Sequence, residues 1–237
     1  EYIKSKVSIV YKKTEKFNLK ALHNFLLQIY GHMSWIGSIE NRFSGVEAKV
    51  REVYAKQCDT VEFILMQADS YDTIFALKQE VRNIYGIGLS SVHMTDNIKE
   101  TRQIANLIYN QNSMHHLRYG EPDKYKKSYL LLSKFKEIIK ENKLNLDDFV
   151  VDSSMVMAMY GIREAGDLDF YTSESQDVKI KIAETTKNLM EDNGKNICYH
   201  KKNVVDLLYN PNNLFHFEDV KFLCLREVKF FKENKGS

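Results

Sequence analysis

Cysteine is scarce and poorly placed for pairing. Only Cys58, Cys198 and Cys224 occur in 237 residues, and an odd count without paired spacing indicates neither a disulfide framework nor a zinc site and fits a reducing compartment. A long hydrophobic run is missing as well: none approaches the roughly 20 residues needed to span a bilayer. The basic opening, Glu1 to Lys6, is not followed by the apolar core of a signal peptide. A cytoplasmic location is therefore expected, with peripheral association at the inner face of a membrane left open. Charge of one sign is the third absence. Lysine plus arginine number 34 against 32 acidic residues, leaving +2, too little for a global field that selects nucleic acid or an anionic membrane. No arginine/lysine stripe marks a nucleic-acid face either, so any anion site must be local. Internal repeats and low-complexity tracts are absent, and the single tryptophan, Trp35, stands in a loop between Gly31 and Gly37.

What is present is enough apolar residue, 43% of the chain against 28% charged, to build real cores in one large or two small domains. Periodicity predicts α/β organisation. Val7 to Tyr11 reads as a strand, and Leu19 to Tyr30 as a helix with Leu22, Phe25, Leu26 and Ile29 on one face. Val61 to Gln67 reads as a buried strand, and Asp72 to Tyr85 as a helix. Ser90 to Asn97 reads as a strand entering a turn, with Thr95 or Asp96 capping a helix from Ile98 to Tyr109 and Glu100 favourable in its first turn. Glycine, proline and charge cluster from Arg118 to Lys127, which divides the chain into an α/β region over residues 1–120 and a second domain over 121–237. There the pattern gives a helix from Ser128 to Asn142, a strand Phe149–Asp152, a short helix Ser154–Tyr160 and a strand Asp167–Tyr171. A helix Val178–Glu191, a strand Ile197–His200 and a turn at Asn210–Asn213 follow.

Alternation in the Asp167-Leu168-Asp169-Phe170 run sets both carboxylates on one strand face. Two like charges side by side call for a partner. A hard divalent cation, magnesium or manganese, is suited to it because such ions join one or two carboxylates to substrate phosphates. In isolation the pair is more often a solvated edge, since so short a motif recurs by chance. The context is richer. Val151-Asp152-Ser153-Ser154 ends an apolar strand on two small hydroxyl residues, whose backbone N–H groups at a helix start could face a phosphate. Gly161 permits a tight reversal, and Arg163 offers a forked donor for phosphate oxygens, the alternative being a surface ion pair.

This arrangement resembles the nucleotidyltransferase superfamily: an apolar strand, a small Gly-Gly or Gly-Ser pair at a helix start, about a dozen residues, then Asp-x-Asp on the next strand. Ser153 and Ser154 take the small pair, with serine where the family usually has glycine, and Asp167 and Asp169 take the metal pair. The run Met159-Tyr-Gly-Ile-Arg-Glu-Ala-Gly-Asp-Leu-Asp-Phe-Tyr171 looks like the compact branch holding LicD/fukutin-type phosphotransferases and AbiEii-type nucleotidyltransferases. The stretch Asn210 to Leu223 resembles a segment of bacterial surface-polysaccharide (capsule) synthesis proteins. The resemblance covers roughly residues 128–237. It implies a mixed sheet with flanking helices and a transferase using Mg2+ or Mn2+. That enzyme would pass a phosphorus-containing group from a nucleotide-linked donor to a hydroxyl on a glycan or lipid-linked glycan. In the AbiEii-like alternative it passes a nucleotide to RNA or protein; a non-catalytic binding module is the other alternative. It also implies a third carboxylate on a later strand, for which Asp206 stands nearest, ahead of Asp177, Asp192 and Asp219. Lys221 and Lys229 are candidates to meet phosphates, although solvated lysines are as good a reading.

Outside this region, His93 and the His115-His116 pair read as hydrogen-bonded structural histidines, because no ligand set completes around them. Tyr30 and Trp35 could stack on a sugar or base, or form an aromatic cluster. The first half could recognise the acceptor, form a dimer, or join the second in one domain.

Overall fold

The computed structural model describes residues 3–54, 60–86 and 88–236; Cys58 and the first two residues of the basic opening lie outside them. In chain order the elements are β1 (Ser8–Lys16), α1 (Leu19–Tyr30), α2 (Ser44–Tyr54), β2 (Thr60–Gln67), α3 (Tyr71–Tyr85), α4 (Ile98–Ile108), α5 (Gln111–Tyr119) and α6 (Lys126–Glu141). They continue with β3 (Phe149–Asp152), α7 (Ser153–Met159), β4 (Leu168–Thr172), α8 (Gln176–Thr185), β5 (Met190–Asp192), α9 (Val204–Tyr209), β6 (Leu214–Phe217), β7 (Val220–Leu223) and α10 (Leu225–Lys235). The fold is mixed α/β: a five-stranded sheet ordered β5-β4-β3-β7-β6 in the second half, and a two-stranded antiparallel β1-β2 sheet before it. Among the described residues no helix is long and apolar enough to cross a membrane.

The helices form where apolar spacing and caps coincide. Asn18 accepts from the Ala21 N–H at the start of α1, and Leu22, Leu26 and Ile29 are buried along one side. Buried polar side chains tie helices together within the first half and join that half to the second. Asn24 Nδ2 donates to the carbonyls of Leu117 (3.0 Å) and Gly120 (2.9 Å), joining α1 to α5. Asn110 Nδ2 donates to Pro211 O at 2.8 Å, and Ser113 Oγ accepts from His216 N at 3.0 Å, joining α5 to the β6 region. One apolar core accordingly runs from Phe17 to Val228.

In the larger sheet β3 pairs antiparallel with β4, and β4 parallel with β5. Register sets Val151 opposite Phe170 and Asp152 opposite Asp169, so the two faces differ in chemistry. On the first, Phe135 of α6 lies 5.8 Å from the Phe149 ring and 5.6 Å from Phe170, and all three are fully buried. At roughly 1.5–3 kcal/mol for each such side chain this trio anchors α6 to the sheet. On the second face Tyr171 meets His200, which in turn meets Phe231 of α10.

Several expectations are corrected. Residues 91–97 form no strand: a single 3-10 turn at Gly88–Ser90 leads into irregular chain. Side chains replace the sheet there, with His93 bonded to Tyr30 and Glu100 and the Asp96 N–H donating to Glu100. The cap of α4 is Asn97, one residue after Asp96. The helix expected to reach Glu191 stops at Thr185, because Lys187 and Asn188 adopt φ of 52° and 60°, and Met190–Asp192 then pairs as a strand. Ile197–His200 belongs to a 3-10 helix, Gly194–His200. Strand β2 is only half-buried and β1 runs on to Lys16. Asp206 lies on a helix, as do His115 and His116.

Candidate functional site

Strand β3 ends on Asp152 and the chain turns at once into α7. Ser153 makes that turn with φ of 57°, the left-handed region that favours glycine. Its Oγ donates to Asp152 Oδ2 at 3.3 Å. The next residue ties the turn to the start of β4: Ser154 Oγ lies 3.0 Å from Asp167 Oδ1 and 3.1 Å from the Asp167 carbonyl. The serine pair and the first aspartate therefore come together.

Asp169 follows two residues on, half-buried. Cross-strand register places Asp152 opposite it on one side and Glu191 of β5 on the other, and directly paired residues share a sheet face. Asp152, Asp169 and Glu191 thus form a row across three strands, with Asp167 beside it. The electrostatics agree with the register. Burial, then the Asp167 and Asp152 carboxylates, push the Asp169 carboxyl up to about 6, with Lys232 of α10 opposing and Glu191 adding. Burial and then Asp152 and Asp169 likewise raise the Tyr171 phenol. Around Asp169 the acting charges are mainly negative, with Lys232 the opposing cation.

Behind Asp152 lies a buried polar chain. Asp152 is fully buried, and its Oδ1 has no hydrogen-bond partner among the described residues. Its Oδ2 is 3.5 Å from His200 Nε2, and His200 Nδ1 is 4.0 Å from Glu227 Oε2. Lys202 Nζ lies 2.6 Å from the other Glu227 oxygen. Glu227 is 3% exposed, so a cation at its rear is needed to hold its charge in the interior.

The remaining sequence candidates are placed elsewhere or engaged otherwise. Gly161 ends α7 with φ of 68°; its N–H reaches Ala158 O and that of Ile162 reaches Met157 O, the Schellman arrangement. A Cβ there would stand 2.7 Å from Glu121 Cβ, so the glycine serves the turn. Arg163 is exposed in the α7–β4 loop, without a hydrogen bond or ion pair among the described residues. Lys221 is buried, donating to the carbonyls of Asp147 and Leu208 and lying 4.6 Å from the centre of the Tyr209 ring. Asp206 accepts from Asn210 at 2.9 Å and Asn213 at 3.3 Å in α9. Lys229 pairs with Glu233, Asp192 with Lys179 and Asp219 with Lys99, while Asp177 sits in the first turn of α8.

Sequence reasoning passed over Asp152, Glu191 and His200. Asp152 carried one signal, a charged residue closing an otherwise apolar strand, but its pairing with Asp169 depends on how α7 returns the chain. Glu191 was hidden by a helical pattern that breaks only at Lys187 and Asn188.

Among the described residues no group of three or more histidine, cysteine, aspartate or glutamate side chains is arranged to hold a metal ion by itself. The donors at Asp167 and Asp169 are carboxylate oxygens in a site whose acting charges are mainly negative. That set suits a hard cation whose remaining positions go to water and substrate oxygens, not a tetrahedral zinc site. No family model, curated protein or solved structure matches the chain.

Proposed function

We propose that the chain is a metal-dependent transferase of nucleotidyltransferase type, moving a phosphorus-containing group from a nucleotide-linked donor to a hydroxyl acceptor on a glycan or its precursor. The observation that carries this reading is the carboxylate row, in which burial, then the Asp167 and Asp152 carboxylates, push the Asp169 carboxyl up to about 6. Structural ion pairs are normally compensated, whereas uncompensated like charges mark sites that gain their partner on binding. Asp167 and Asp169 are the residues to hold Mg2+ or Mn2+. Such an ion, when bound, supplies Lewis-acid polarisation of a phosphoryl oxygen and offsets charge on the substrate. Ser154 orients Asp167 through its 3.0 Å hydrogen bond. Asp152 is inaccessible to substrate; it adds to the field on Asp169, accepts from Ser153 and lies 3.5 Å from His200 Nε2. Glu191, which pairs with Asp169 across β4 and β5, is our candidate to take the proton of an acceptor hydroxyl, the part that Asp206 was expected to play. Arg163, exposed and with no partner among the described residues, is available to a donor phosphate.

Calorimetric titration of CTP, CDP-glycerol, ATP and UTP, with and without magnesium, into wild type and Asp167→Asn/Asp169→Asn tests the reading. Magnesium-dependent binding that the double variant loses is expected, and preference for a cytidine donor would assign phospho-alcohol transfer. Failure of all four nucleotides to bind wild type would overturn the enzyme reading in favour of an interaction module.

A further inference from the structure

A second opening lies away from the carboxylate row. A cavity of about 1040 Å3 lies between α1, α2, α3 and the 93–103 segment, floored by α6 and the β6–β7 turn, at the upper end of the roughly 300–1,000 Å3 usual for small-molecule sites. None of Asp152, Asp167, Asp169 or Glu191 lines it.

Its chemistry is sharply divided. The four lysines in its wall are matched with carboxylates at 2.9 to 3.6 Å, among them Lys78 with Asp96 and Lys136 with Glu218. The remaining wall acid, Glu100, is held by His93 at 2.8 Å and by the Asp96 N–H. Two donors are left over. Arg82 Nε is buried with no hydrogen-bond partner, and no ion pair engages the guanidinium among the described residues. Gln28, 4% exposed, has an unpartnered Nε2. Its amide orientation is fixed, because Gln28 Oε1 accepts from the Glu218 N–H at 3.2 Å; reversing it would set donor against donor. An unsatisfied buried donor costs about 1–3 kcal/mol, and both of these residues line the cavity. Beside them Tyr30 and Trp35 meet at 5.4 Å with their planes 53° apart, and Trp35 is 49% exposed. Tilted rings cannot sandwich a flat base, but an exposed indole face suits the C–H face of a pyranose.

We propose that this cavity binds a small acidic carbohydrate, a sugar ring carrying a carboxylate or phosphate, with the ring against Trp35 and the anion taken by Arg82 and Gln28. The guanidinium supplies a planar donor fork matched to either oxyanion. The assignment stands apart from the metal-site reading, since it uses none of those residues.

Trp35 is the only tryptophan of the chain, so intrinsic fluorescence reports directly on the cavity. Wild type is titrated with glucuronate, glucose 1-phosphate, glucose and inorganic phosphate, with saturation-transfer NMR as a second readout. The first two ligands separate a carboxylate from a phosphate source. Saturable binding of one or both acidic sugars is expected, at least tenfold tighter than glucose or phosphate. Arg82→Gln should weaken it tenfold or more, Trp35→Leu should weaken it by NMR, and Asp169→Asn should leave it unchanged, all three variants being checked for native circular dichroism. Equal binding of glucose, equal binding of phosphate alone, indifference to both cavity variants, or no binding in either readout would overturn the proposal. Loss of binding in Asp169→Asn would move the ligand to the other site and overturn it as well.

Discussion

Ser153 turns the corner between β3 and α7 with φ of 57°, a conformation that costs an L-residue about 1–2 kcal/mol. Glycine would relieve that strain, but would lose the weak bond to Asp152 and free the unfolded chain by about 0.5–1 kcal/mol. Ser153→Gly is therefore expected within about 1 kcal/mol of wild type in urea unfolding, whereas Ser153→Val, branched at Cβ, should lose about 2 kcal/mol or more. Equal destabilisation by both would remove backbone strain from the explanation. The residues that close the site were legible to different depths. Asp167 and Asp169 announce themselves by alternation and Ser153-Ser154 by being small at a strand end. Asp152 and Glu191 do not, because a carboxylate row across three strands is a property of register, which no local pattern contains.

At the scale of elements, Lys221 shows a residue whose chemistry was legible but whose employment was not. Its ammonium joins the carbonyls of Asp147 and Leu208, binding the turn before β3 to the end of α9. Burial holds its pKa below the usual lysine value, with Asp147 and Asp148 opposing. Lys221→Met leaves those carbonyls unsatisfied and should cost about 1–3 kcal/mol in stability, while magnesium-dependent nucleotide binding persists. Loss of binding at unchanged stability would return Lys221 to the phosphate site. Long amphipathic helices such as α1, α3 and α6 were readable within a residue or two because their periodicity repeats over several turns. Short segments were not. The Ser91–Asn97 stretch looks extended but its polar groups are met by Glu100 and Tyr30, and Ile197–His200 coils around a histidine buried against Asp152. Tertiary partners decided both.

For the whole molecule, acid is the revealing variable. Burial lowers His116 and His216 from 6.5 to about 4. The unfolded chain therefore binds more protons between those values, and stability present above pH 6.5 is lost as pH falls to 4. At 1.36 kcal/mol per unit this approaches about 3 kcal/mol for each histidine. Asp169 runs the other way. Its folded carboxyl keeps its proton up to about 6 against the usual 3.8, so its contribution is present below 3.8 and lost as pH rises through 6. Solvent reaches this group, and screening reduces its share to about 1 kcal/mol. The histidines win, and a urea series from pH 7.5 to pH 4 should show a net fall in unfolding free energy. Constant stability over that range would deny their burial as neutral groups.

We propose the carboxylate row as a cation site left with excess charge. Its most direct test is the melting temperature of wild type and Asp169→Asn at pH 7.5 and pH 4.5, with and without manganese. At pH 7.5 without metal the variant should melt higher, by a few degrees for about 1 kcal/mol, and the difference should shrink at pH 4.5, where the wild-type carboxyl is protonated. Manganese should raise the melting point of wild type at pH 7.5 and leave the variant unmoved. A variant that melts lower at pH 7.5, together with a manganese response equal in both proteins, would contradict the account.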